Sequence, residues 1–140
     1  MLSQKARYAL RALLNIAARS GPVSIGEIAE EEGISRKFLE LILADLRPTG
    51  LVVSRRGKTG GYQLARPPNK ITFAEIIRAI DGPLALAPCA SRTAFRPCEG
   101  CVDPKICPIR KVLLEARDAT AKVLESKTLS SAEGARKLLS

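Results

Sequence analysis

The chain contains no histidine. That one absence removes Ser-His and Cys-His nucleophile pairs, histidine general bases and histidine metal ligands, and with them most hydrolytic chemistry. Aromatic residues are only 4% of the sequence while apolar residues reach 46%. The core therefore has to be built from Leu, Ile, Val and Ala, which suits packed helices and predicts a mainly α protein. No stretch approaches the ~20 uninterrupted apolar residues that a membrane span needs, so no membrane partner is expected. The opening from Met1 to Ser20 lacks acidic residues and superficially resembles a transit peptide. It reads better as an amphipathic helix capped by Ser3, with Ala6, Leu10, Leu13, Leu14 and Ala17 on one face and Arg7, Arg11 and Arg19 interrupting the apolar run. A cytoplasmic chain with reduced thiols is the resulting expectation.

What is present in excess is positive charge: Lys and Arg outnumber Asp and Glu by 23 to 14, for a formal charge of +9. Such a balance favours a polyanionic partner, because cationic side chains neutralise phosphates and release condensed counterions. At 140 residues the chain accommodates one compact domain and an appendage.

Gly21-Pro22 ends the first helix, and Ser24-Ile25-Gly26-Glu27 has the form of a capping box opening a second. Gly33 breaks that helix. Ser35 caps a third, in which Leu39, Ile42, Leu43 and Leu46 repeat at helical spacing. Two helices joined by a tight glycine turn predict a helix-turn-helix. After Pro48 and Gly50, Leu51-Val52-Val53 and Tyr62-Gln63-Leu64 are strand-like runs around a basic, Gly-rich tip. From Arg47 through Ala74 there are six Lys or Arg residues and no acidic one. A helix-turn-helix followed by a basic hairpin is a winged helix. The third helix enters the major groove of double-stranded DNA, and the wing reaches the backbone or minor groove. Ser35, Arg36, Lys37 and Glu40 are the candidate contacts on the recognition helix, and Arg55, Arg56 and Lys58 those on the wing. Gly57-Lys58-Thr59 imitates the end of a phosphate-binding loop, but Val52 stands where that motif needs glycine and a strand follows in place of a helix.

Thr72-Phe73-Ala74-Glu75 opens a further helix with Phe73, Ile76, Ile77 and Ile80 inward, stopped by Asp81-Gly82-Pro83. The winged-helix domain is thus placed at 1–81. A loop at 82–106 has no periodicity, and an aperiodic stretch of that length is usually functional or disordered. Cys107-Pro108 starts a long helix, 107–128, in which Ile109, Val112, Ala116, Ala119 and Val123 form a narrow seam suited to helix-on-helix dimerisation. The polar remainder, 129–140, is expected to be loosely ordered.

Cys89, Cys98, Cys101 and Cys107 carry the spacing C-x8-C-x2-C-x5-C. Thiolates select soft centres, so an iron-sulfur cluster, zinc and unligated thiols that switch with redox state all stand as readings of the spacing alone. A dithiol redox enzyme using Cys98 and Cys101 is disfavoured, because that pair sits in a loop and not beside a strand-helix unit.

Lys5-Ala6-Arg7-Tyr8-Ala9, Gly33-Ile34-Ser35, Phe38-Leu39-Glu40, Gly50-Leu51-Val52 and Arg56-Gly57 through Gly60-Gly61-Tyr62-Gln63-Leu64 resemble the Rrf-two family. These are dimeric winged-helix regulators that include iron-sulfur cluster, nitric-oxide and iron regulators. The resemblance runs from Met1 to about Leu129. It implies that Glu40 contributes to base discrimination and that Arg56 enters the minor groove. It also implies a two-iron or four-iron iron-sulfur cluster on Cys89, Cys101 and Cys107. Two departures accompany it. Arg110 stands where the family's cluster regulator has a histidine ligand, and Cys98 is an additional cysteine, inferred to supply the fourth ligand. The expected protein is a homodimeric, non-enzymatic repressor whose operator binding follows the state of this site.

Overall fold

The computed structural model describes residues 1–101 and 103–132. Helix α1 (Gln4–Ala17) begins where the Ser3 side chain accepts a hydrogen bond from the backbone N–H of Ala6 at 3.0 Å, which satisfies one of the orphan donors of the first turn. Its fully buried residues are Ala6, Ala9, Ala12, Leu13, Asn15 and Ile16. That arc is rotated from the predicted face. Leu10, Leu14 and Ala17 are only half-buried and flank the core. The cause is packing from several sides: α1 touches the second, third and fourth helices and the wing, and the small alanines are what let those neighbours approach. Asn15 donates to the carboxylates of Glu31 and Glu32 at 2.8 and 2.9 Å, pinning α1 to the next helix through a polar link.

Helix α2 (Ile25–Glu32) is capped by Ser24, whose hydroxyl accepts from the Glu27 N–H. It ends at Gly33, whose φ of 65° lies in the left-handed region that side chains disfavour. Ile34 is buried in the turn, and Ser35 caps α3 (Arg36–Leu46) by accepting from Phe38 N–H. Leu39, Ile42, Leu43 and Leu46 are buried as their spacing requires.

The wing pairs β1 (Val52–Arg55) with β2 (Gly61–Leu64), antiparallel, with Val52 opposite Leu64 and Arg55 opposite Gly61. β1 starts one residue later and ends two residues beyond the apolar run that predicts it, and β2 starts one residue earlier, because backbone pairing carries on through Ser54 and Arg55 into the tip. Val23 and Tyr62 exchange backbone bonds of 2.9 and 2.8 Å, so the loop before α2 is stitched to the wing. Gly61 permits that closeness: a Cβ there would lie 2.2 Å from the Val23 carbonyl oxygen.

Helix α4 (Phe73–Asp81) has a complete capping box, with both Thr72–Glu75 bonds formed, and buries Ala74, Ile76 and Ile77. Phe73 and Ile80 are half-buried against the core. The cysteine-bearing segment follows, with one 3-10 turn at Pro88–Ala90, and then α5 (Pro108–Ser126). None of the helices among the described residues is long and apolar enough to cross a membrane.

The chain does not leave the core at residue 129 as expected. Leu129 is fully buried, its N–H bonds to the Ile71 carbonyl at 3.1 Å, and Phe73 N–H bonds back to Lys127 at 2.9 Å. The apolar side chain of Leu129 gains more by filling the space beside Ile71 and Ile76 than by remaining in water. The rest of the predicted tail, 133–140, lies outside the described residues.

Candidate nucleic-acid interface and cysteine site

The outer face of α3 presents Arg36, Lys37 and Glu40, all exposed, with Ser35 exposed at the cap. Leu41 joins them at 57% exposure, an apolar side chain on a polar face that periodicity did not single out. The Arg36 guanidinium lies over Gly26, where a Cβ would come within 2.8 Å of it, so the glycine makes room for this cation at the junction of α2 and α3. On the wing, Arg55, Arg56 and Lys58 are exposed.

Ion pairing divides the basic residues in two. Arg66 contacts Glu75 at 3.2 Å, Arg78 contacts Glu125 at 2.7 Å and Arg92 contacts Asp118 at 2.7 Å, while Lys5 pairs with Asp45 and Arg19 with Glu31. Among the described residues, none of Arg36, Lys37, Arg55, Arg56 and Lys58 has an ion-pair partner. Several cations of the fold's frame are engaged with carboxylates, whereas the five on α3 and the wing are not and remain available to phosphate, a property they share with exposed Arg7, Lys111 and Lys122. Arg66, part of the basic run in the sequence, belongs to the first group.

The four cysteines lie around one cavity of about 530 Å³, whose lining also includes Arg110 and Leu113. Cys89, only 5% exposed, sits in the 3-10 turn; Cys98 is exposed, and Cys101 and Cys107 are half-buried. Cys107 occupies the N-cap position of α5 with Pro108 after it, so the last cysteine is fixed at the first turn of the helix. Cys98 and Cys101 are joined by a tight turn, with Cys101 N–H bonded to the Cys98 carbonyl at 3.0 Å. The sulfur in contact with Cys98 is nevertheless that of Cys89, at 3.1 Å. The Cys98–Cys101 dithiol reading is therefore corrected: the chain reverses at Ser91, whose hydroxyl accepts from Thr93 and Ala94 N–H, and brings residue 98 back over residue 89. Hydrogen bonding with Cys98, and then burial, push the Cys89 thiol above its ordinary pKa.

The donor set fits a soft centre, since it consists of sulfur without imidazole. Among the described residues no three Cys, Asp or Glu groups converge into a ready coordination sphere. The four thiols share a cavity without being pre-assembled.

Two links join this loop to α5. Arg110 donates from Nε to the Cys89 carbonyl at 2.9 Å, donates to the Pro104 carbonyl at 3.4 Å and lies 5.3 Å from the centre of the Phe95 ring. Arg92 makes a forked bond to Asp118 on α5, at 3.2 and 2.7 Å. The hydrogen bond from Arg92, then that from Arg117, lower the Asp118 carboxyl to about 2. Such a depressed carboxylate contributes its stabilisation above the usual Asp value near 3.8 and loses it as pH falls through about 2. The link is therefore intact throughout the physiological range. That Arg110 clasps the loop was not visible in the sequence, where it stands in the place of a histidine ligand as one of several cations near the cysteines.

A helix-turn-helix, a paired basic hairpin and unpaired cations on both define a winged-helix transcription regulator. A family model described as iron-dependent transcriptional regulator, Rrf2, matches residues 2–132. The chain is 45% identical over 134 residues to an rrf2-like HTH-type transcriptional regulator of Rhodobacter capsulatus, covering 92% of this chain and 89% of that protein. It is 35% identical to the HTH-type transcriptional regulator IscR of Pectobacterium carotovorum, covering 91% of this chain and 76% of the other. Among solved structures, CymR, the global cysteine regulator of B. subtilis, superposes with a TM-score of 0.79 at 32% identity over 96% of both chains. T. potens IscR superposes with a TM-score of 0.75 at 33% identity, over 94% of this chain and 85% of that one. The chain belongs to the Rrf2 family of transcription regulators. These relatives are regulators and not enzymes, which closes the redox-enzyme reading.

Proposed function

We propose that this protein is a homodimeric, cytoplasmic, sequence-specific repressor whose hold on double-stranded DNA depends on an iron-sulfur cluster carried by Cys89, Cys98, Cys101 and Cys107. The observation that carries the reading is the placement of all four cysteines around one cavity at the first turn of α5, while the far end of that helix is fastened to the DNA-binding body. A cluster bound there supplies an occupancy that responds to iron, nitric oxide or redox state.

The residues of the chain do the rest. Ser35, Arg36, Lys37 and Glu40 meet the major groove, with Glu40 discriminating bases. Arg55 and Lys58 engage backbone phosphates, and Arg56 enters the minor groove. The dimer seam is the outer face of α5, where Ile109, Val112 and Val123 are 68%, 65% and 57% exposed. Three large aliphatic side chains in one row favour a second copy of the same helix. Arg110 and Arg92 tie the cysteine loop to α5, and the Thr72–Thr128 bridge and the Arg78–Glu125 pair tie the end of α5 to α4. Order in the loop thereby bears on the seam, and the seam sets the separation of the two wings against half-sites about one helical turn apart. The working units are 1–81, 82–106 and 107–128, with Leu129 belonging to the core.

Purification without oxygen, followed by assembly with iron and sulfide, tests the reading. We expect visible charge-transfer bands, which zinc does not give, and different operator affinities for loaded and empty protein across salt concentrations. Cys101→Ala should lose iron uptake with its far-ultraviolet circular dichroism unchanged. Protein that stays colourless after assembly, a fully loaded Cys101→Ala variant, or equal operator affinity in both forms would each overturn the reading.

A further inference from the structure

Cys89 and Cys98 differ in everything except position. One is buried in a turn whose carbonyl is held by Arg110, and the other is exposed on the loop that folds back over it. Their sulfurs are 3.1 Å apart, while a disulfide bond is about 2.05 Å long. A movement of roughly 1 Å by the exposed partner therefore closes the bond. We propose that, in the cluster-free chain, Cys98 is the peroxide-reacting thiol and Cys89 the resolving thiol, and that they close an intramolecular disulfide which withdraws two of the four donors from the cavity.

The step balances with a hydroperoxide as oxidant. The Cys98 sulfur attacks one oxygen of hydrogen peroxide; the S–O bond forms, the O–O bond breaks, and the departing hydroxide takes a proton and leaves as water. The Cys89 sulfur then attacks the Cys98 sulfenic acid. The S–S bond forms, the S–O bond breaks, and a second water leaves. Two thiols lose two electrons, and the peroxide gains them. Exposure decides the order, because a water-borne oxidant meets Cys98 first. Contact decides the partner, since Cys89 already touches Cys98. The disulfide itself is independent of the cluster reading; only its consequence, that oxidised protein must be reduced before the cavity can be loaded, rests on it.

The test uses full-length, reduced, cluster-free protein treated without oxygen with stoichiometric hydrogen peroxide, then alkylated and mapped by mass spectrometry. Trypsin alone leaves Cys98 and Cys101 on one peptide, because no Lys or Arg lies between them; cleavage after Glu99 separates them. The expected product joins the peptide 79–92, which carries Cys89, to 93–99, which carries Cys98. Cys101→Ala and Cys107→Ala should retain that link, and Cys89→Ser should accumulate a dimedone-reactive sulfenic acid at Cys98. A dominant Cys98–Cys101, Cys101–Cys107 or intermolecular link, or four alkylated thiols, overturns the proposal. In a second arm, oxidised protein should take up iron and sulfide only after dithiothreitol. Loading of oxidised protein without reductant removes the gating consequence. If fully reduced protein also refuses iron while the Cys89–Cys98 peptide is found, the cluster reading fails and the disulfide stands.

Discussion

Arg110 Nε donates to the carbonyl oxygen of Cys89 at 2.9 Å, across a sequence separation of 21 residues. The first turn of α5 thereby holds the most buried cysteine of the loop, and the same guanidinium reaches Pro104 and covers Phe95. One planar cation spans both limbs of an otherwise aperiodic segment.

Replacing that cation should loosen the loop and leave the DNA-binding body alone. Arg110→Ala is expected to raise amide hydrogen exchange across 88–106, with α1 to α4 unchanged. The cost should be about 1.5–3 kcal/mol, the range for hydrogen bonds that involve a charged group. Arg110→Lys should recover little, because an ammonium cannot form the same fork. Unchanged exchange in the loop of Arg110→Ala would show that the clasp is incidental.

Arg55 and Glu40 should fail in different ways. Arg55→Ala, which removes a phosphate contact, is expected to weaken binding to operator and non-operator DNA alike and to reduce the slope of log affinity against log salt by about 1. Glu40→Ala should leave that slope unchanged and relax preference at one base position, worth about 1–3 kcal/mol of discrimination. Fluorescence anisotropy titrations over a salt series, on operators varied one base pair at a time, separate the two. A salt-slope change for Glu40→Ala would refute its assignment.

Val112 is 65% exposed on the outer face of α5, so an acidic side chain there costs the protomer no core packing. Across a self-complementary seam, the same change buries one carboxylate from each protomer in an apolar setting. Val112→Asp is expected to dissociate the dimer in sedimentation equilibrium with helix content preserved. A variant that remains dimeric at micromolar concentration would exclude this face as the seam.

Capping explains why the helix-turn-helix could be read so directly. Ser3, Ser24, Ser35 and Thr72 each accept from an N–H three residues ahead, and Gly33 supplies the left-handed residue that ends α2. Those bonds close within a single turn, so their residue types appear at fixed short spacings. The predicted buried face of α1 was rotated for the opposite reason: which side of an amphipathic helix is covered depends on α3 and α4, distant in sequence, and on alanines that hydropathy ranks below leucine.

The same division holds at the cysteine site. Residue order alone determined that four sulfur donors without histidine lie between a winged helix and a long C-terminal helix, because donor chemistry belongs to the side chain. Only the tertiary structure decided that Cys98 meets Cys89 in preference to its near neighbour Cys101, that Arg110 clasps the loop, and that Leu129 returns to the core. Each of these is a contact made across at least nine residues of chain, and whether such a contact forms is settled by how the intervening backbone turns and packs.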